Sequence, residues 1–367
     1  TITVANGGNL TVNDSSEEKT GTVDNITHAK GAIYINNGAT VTLNGGTFER
    51  SMEASTSPTN NGGNSWYTIW NGGDLTINEG ATVLNGNGST TGFLSSIIRS
   101  QGTADSPATL TINGATIIGG LYIYNSDYST LTITGGTITG TNSAVFNTSA
   151  VKITGGTFGV IEGADDSSVI WTSDYTGNTN DVSISISGAT INGSIAEGVA
   201  NDTRDEFGGN VEFVISADTT YDSFVVLAGD TAEGTISTAD GDITFSGITD
   251  VDITVADGKI EVSSLNVPTG GTFVVPETIE VVNNGVIVDG TSATVTTEQG
   301  LKDAIANDAI TEITIDGKIE ITSVVTVDRE VTITGTAESM LVAVPNDGPY
   351  NGEYSSGTDK YVLNITA

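Results

Sequence analysis

A four-residue phrase recurs eight times in this chain: Gly, then Gly or Ala, then Thr, then Phe, Ile or Val. Its copies begin at Gly38, Gly45, Gly80, Gly114, Gly135, Gly155, Gly188 and Gly270. Strand words precede most copies, as in Leu75-Thr76-Ile77-Asn78, Leu110-Thr111-Ile112-Asn113 and Leu131-Thr132-Ile133-Thr134. The steps from Gly114 to Gly135 and on to Gly155 are 21 and 20 residues, and three other steps are 35, 34 and 33. A fixed period carried by short strands constrains the fold to a solenoid, because one repeat cannot bury its own apolar side and stacking repeats can.

Within each strand word the apolar residues fall at alternate positions. Leu131 and Ile133 therefore share one face and Thr132 the other. The glycines that follow suit a sharp corner. A period near 20 residues predicts an all-β chain folded as a three-sided, right-handed parallel β-helix. The longer steps are coils carrying outward loops, assigned to 49–66, 85–104 and 159–180. A β-sandwich is the alternative, but it does not need the same phrase at each turn. Asn36, Asn37, Asn44, Asn78 and Asn113 recur near corners and are expected to bond between coils.

The texture changes along the chain. Residues 1–290 read as one helix of looped coils, with narrower coils continuing the same stack over 248–290. Residues 291–367 read as a helix-capped start of a second, truncated segment. Leu301, Ala304 and Ile305 share one helical face, so a short helix is expected near 298–306, with Thr296 or Thr297 as its N-cap. The opening Thr1-Ile2-Thr3-Val4 is already in strand pattern and reads as a mature form or an excised segment.

The phrases Thr297-Glu298-Gln299-Gly300-Leu301-Lys302, Ile313-Thr314-Ile315-Asp316-Gly317-Lys318-Ile319 and Arg329-Glu330-Val331-Thr332-Ile333-Thr334-Gly335 resemble the opening of a pectin-lyase-like β-helix domain. The match covers about 294–335, and the repeats over 38–193 resemble the same superfamily more loosely. The resemblance implies a helix over the open end of the solenoid. The overall texture is similar to repeat-containing surface proteins of Gram-positive gut bacteria. That implies an extracellular or cell-surface setting and an adhesin-like role.

Charge narrows the partners. There are 45 acidic and 11 basic residues, for a formal charge of −34. This argues against nucleic acid and anionic membranes. No apolar run approaches the length of a membrane span. The absence of cysteine excludes disulfides and thiolate metal sites. A monomer is expected.

The superfamily that the chain resembles includes polysaccharide lyases and glycoside hydrolases. Arg50 and Arg99 are the arginines placed to face a groove, whereas Arg204 sits in a charged loop run and Arg329 belongs to the capped segment. His28 is the sole histidine, and Asp165-Asp166 the one adjacent aspartate pair in the looped region. Neighbouring residues on a strand point to opposite faces, so that pair does not make a glycosidase couple. No cofactor is required by this reading. Calcium is the ion that Asp240, Asp242, Asp250 and Asp252 would take, through oxygen ligands.

Aromatic residues give the remaining site. Trp66, Tyr67 and Trp70 cluster between two coils, Tyr122 and Tyr124 follow the Gly114 phrase, and Trp171 lies in the 159–180 loop. If coils stack in register they share one side, as a platform for sugar rings or as packing. Thr-x-Thr repeats on a flat face also suit ice binding, but the long loops count against it. The leading expectation is a non-enzymatic surface adhesin for glycan or protein ligands. A polysaccharide-degrading enzyme and a structural stalk are the alternatives.

Overall fold

The computed structural model describes residues 2–25, 31–50, 67–84, 97–140, 143–160, 168–172, 182–197, 210–256, 258–343 and 363–365. Within them strand is the main secondary structure, accompanied by one α-helix, and 28 strands join one sheet. Up to Thr238 every pairing between these strands is parallel, and it forms three ladders.

The first ladder runs from Ile2–Val4 through Ile33–Ile35, Ile69–Asn71 and Ile98–Ser100 to Phe224–Ala228. The second runs from Asn9–Val12 through Thr40–Leu43 and Asp74–Asn78 to Thr231–Thr238. The third starts at Thr22–Asp24, passes Gly46–Glu49 and ends at Ala189–Ile191. The chain visits the three in turn, so each pass rests on the one before.

Alternation decides what these ladders enclose. Ile33, Ile69, Ile98, Leu121, Val145, Ile170, Ile195 and Phe224 stand in register on the first ladder, and all are buried. Val41, Leu75, Leu110, Leu131, Val151 and Ile184 do the same on the second. Phe48, Val83, Ile117, Ile138, Phe158 and Ile191 do so on the third. The three columns merge into one apolar core. The period-2 pattern of the sequence is therefore the pattern of burial.

Six of the eight copies of the glycine phrase, all but those at Gly38 and Gly270, lie at the corners between the second and third ladders. Gly136 has φ +107°, and a Cβ there would lie 2.2 Å from the carbonyl oxygen of Ala115. Only glycine fits both constraints. Beside these corners a side-chain ladder climbs the stack. Asn44 donates to Asn13 at 2.8 Å, Asn78 to Asn44 at 2.6 Å, Asn113 to Asn78 at 3.0 Å, and Thr134 to Asn113 at 2.9 Å. The expected bonding of Asn44, Asn78 and Asn113 between passes is present. Asn37 instead donates to Thr103 at 3.3 Å.

The expectation of narrow coils continuing the stack over 248–290 meets a different pairing. The strand Gly241–Ala256 runs antiparallel to Thr231–Thr238 and to Phe224–Ala228. It is antiparallel also to Lys259–Val267 and Thr272–Val274. The physical reason is a short turn at Ala239-Asp240, which reverses the chain before it can travel round to a new parallel pass. Phe213, Phe245 and Phe273 link the two arrangements, with ring centroids 5.2 and 5.1 Å apart.

A second buried cluster begins at Val286 and extends to Val327. Parallel pairing has by then resumed: Glu280–Asp289 runs parallel to Lys259–Val267, turns back antiparallel into Ser292–Val295, and that strand leads a parallel series through Glu312–Ile315 to Thr332–Gly335. The α-helix Glu298–Ala306 sits at the start of this part, against the strands around it. Its N-cap is Thr297, whose hydroxyl accepts from the Gly300 N–H at 3.1 Å. Leu301, Ala304 and Ile305 are its buried face, as their spacing predicts.

Candidate functional site

The outward positions of the first ladder bring the aromatic residues together. In Ile33-Tyr34-Ile35 the isoleucines are buried and Tyr34 is 43% exposed. Register carries Tyr34 to Trp70, Trp70 to Arg99, Arg99 to Tyr122, Tyr122 to Phe146 and Phe146 to Trp171. Adjacent strands lie about 4.8 Å apart, so these six positions form a row roughly 24 Å long. One residue inward, Asn71 is fully buried and donates to the Ser100 hydroxyl at 2.9 Å and to the Thr109 carbonyl at 2.9 Å.

Tyr34 and Trp70 are stacked, with centroids 5.8 Å apart and planes at 14°. The Arg99 guanidinium lies 4.5 Å from the centre of the Trp70 ring, on the ladder step opposite to Tyr34. It is also 5.6 Å from the ring of Tyr67 and donates to the Gln101 side chain at 2.6 Å. Tyr67 sets its ring edge-on to Trp70 at 5.8 Å. Trp70 therefore has Tyr34 on one face and a cation on the other, an arrangement that the ring quadrupole favours. Further along, Phe146 and Trp171 meet edge to face at 4.9 Å.

Of the residues expected to bind a ligand, Trp70 and Trp171 share one row and the backbone register puts position 122 on it, while the side chains of Tyr122 and Tyr124 lie outside the described residues. Tyr67 adjoins it but is 7% exposed, so it serves as packing under Trp70 rather than as a platform. Tyr124 follows two residues after Tyr122, past the paired stretch Leu121–Ile123. Trp66 lies outside the described residues, as do His28, Asp165, Asp166 and Arg204. Sequence reading passed over Tyr34 and Phe146. The signal that finds them is an aliphatic-aromatic pair recurring as Ile33-Tyr34, Ile69-Trp70, Leu121-Tyr122, Val145-Phe146 and Ile170-Trp171.

The four aspartates named for calcium do not come together. Asp240 lies in the turn before Gly241–Ala256, and Asp242 pairs with Ser237 at that end of the strand. Six residues of extended chain from Asp242 to Ile248 span about 20 Å, so Asp250 and Asp252 are out of reach. The Asp250 carboxylate accepts from Thr249 at 3.2 Å and from Asn266 at 3.3 Å. Among the described residues no three acidic or histidine side chains are grouped to hold a metal ion.

The arginines considered for catalysis sit differently from a lyase base. Arg50 is 3% exposed, and Arg99 is engaged with two rings and Gln101. Arg329 caps the helix: it donates to the carbonyls of Ala304 at 2.9 Å, Ile305 at 2.7 Å and Asn307 at 2.8 Å. Among the described residues no helix is long and apolar enough to cross a membrane. No family model, no curated protein and no solved structure matches this chain.

Proposed function

We propose that this chain is a right-handed parallel β-helix of the pectin-lyase-like kind that acts without catalysis as an adhesin-like module. Its setting is the bacterial cell surface or the extracellular space, and its ligands are glycans or proteins. The observation that carries this reading is the row from Tyr34 through Trp70 and Arg99 to Trp171, held in register on one outward line. Aromatic side chains with one accessible edge or face are what sugar and protein surfaces engage. The lack of cysteine and the charge of −34 fit a soluble exported chain.

A structural stalk is the second reading. It draws support from Trp70, whose two faces are both occupied within the protein. A polysaccharide panel separates these readings. Purified protein is incubated with each polymer, first with calcium and then with EDTA, and sedimented protein and released oligosaccharide are read together. Retention without cleavage is the expected result. Cleavage of a polymer overturns the adhesin reading. Neither signal, for any polymer, leaves the stalk or a protein ligand.

A further inference from the structure

We infer that Tyr34 is the platform of a single-sugar subsite, and that the sugar it takes is an uncharged pyranose. This rests on the glycan-binding reading above and narrows it. Stacking of a pyranose needs an aromatic face that nothing else covers. Along the row, Trp70 is sandwiched between Tyr34 and Arg99. Tyr67 and Phe146 are 7% and 3% exposed. Tyr34 differs, being 43% exposed with one face against Trp70. Its neighbour in register on the other side is Thr3, an exposed residue too short to cover a phenol ring. A sugar ring resting above Thr3 would continue the stack by one more layer.

Charge selects among sugars. The cation of the row, Arg99, already lies over Trp70 and donates to Gln101. A uronate would have to draw it away from both. An anionic polymer also approaches a chain of net charge −34 against repulsion. A neutral hexose or pentose meets neither obstacle. One stacking face gives weak binding, on the order of millimolar. High avidity would come only from several copies acting together.

The test is saturation-transfer NMR on the whole chain with cellohexaose, mannohexaose, xylohexaose and hexagalacturonate, at low and at physiological salt. The variants are Y34F, Y34A and Y34T, the last because threonine already fills the equivalent place at Thr3. The expected result is that at least one neutral oligosaccharide binds wild type and Y34F alike. Affinity should fall at least tenfold in Y34T or Y34A, whichever keeps the wild-type melting transition. Equal binding to the Tyr34 variants overturns the subsite and leaves the glycan reading standing. Tighter binding of hexagalacturonate overturns the charge selection. Failure of all four sugars overturns the glycan reading and the subsite with it.

Discussion

The guanidinium of Arg329 donates to the carbonyl oxygen of Ala304, at 2.9 Å and across 25 residues of chain. The last carbonyls of a helix have no partner within it. Arg329 reaches two of them, at Ala304 and Ile305, and the carbonyl of the C-cap residue Asn307. Replacement by alanine is expected to destabilise the part of the chain around the helix by about 2 kcal/mol, the range for hydrogen bonds from a charged donor. Lysine should recover less than half, because a single ammonium cannot reproduce the planar fork. Urea unfolding followed by circular dichroism checks both.

Glu298, at the other end of that helix, supplies a pH dependence. Its carboxylate accepts from Lys302 at 2.6 Å, from the Thr322 backbone and hydroxyl at 2.7 Å each, and from the Ser323 backbone and hydroxyl at 3.1 and 2.6 Å. These donors, Lys302 foremost, hold its pKa well below the usual carboxylate range. A depressed folded pKa gives stability that is present above the unfolded value, about 4.3, and is lost as pH falls toward the folded one. The midpoint difference between wild type and E298Q should therefore be constant near neutrality and shrink below about pH 5. A difference that grows on acidification would contradict the assignment.

Gly135 and Gly136 make a paired test of the corner. An added Cβ at Gly135 would find its nearest neighbour at 3.9 Å, in ordinary contact. At Gly136 it would meet the Ala115 carbonyl oxygen at 2.2 Å, at a φ of +107°. Gly135→Ala should change stability by no more than about 0.5 kcal/mol. Gly136→Ala should cost about 3 kcal/mol or more, or prevent folding. Thermal melts of the two variants give the answer.

Asn78 stands at the middle of the side-chain ladder, donating to Asn44 and accepting from Asn113. Asn78→Ala leaves both neighbours short of a bond and should cost about 1–3 kcal/mol. Removing Asn113 as well should cost less than the sum of the two single changes, because its bond to Asn78 is already gone. A double-mutant cycle in urea measures this.

The first helix turn, its cap and the inward columns were legible in the sequence because each depends on local spacing. Leu301 and Ile305 show a helical period, and Leu131 and Ile133 a strand period, whatever lies beside them. Strand direction was not legible. Val251-Asp252-Ile253 alternates just as Leu131-Thr132-Ile133 does, yet one runs antiparallel to its neighbour and the other parallel. The side-chain period is two in both cases. The row of Tyr34, Trp70, Arg99 and Phe146 was half legible. The aromatic residues are visible, but their meeting depends on which residue follows the loop into the next strand. The loop lengths vary and do not print that register.

The asparagine ladder has a wider consequence. Its successive bonds join residues separated by 31, 34, 35 and 21 positions in the chain, yet each is of ordinary length. The molecule thus counts circuits, not residues. Doubling the length of a connecting loop costs only about 0.6 kcal/mol of closure entropy. Insertions can accumulate between circuits while the outward row keeps its pitch, so the surface can diversify at the loops without retuning the ruler beneath it.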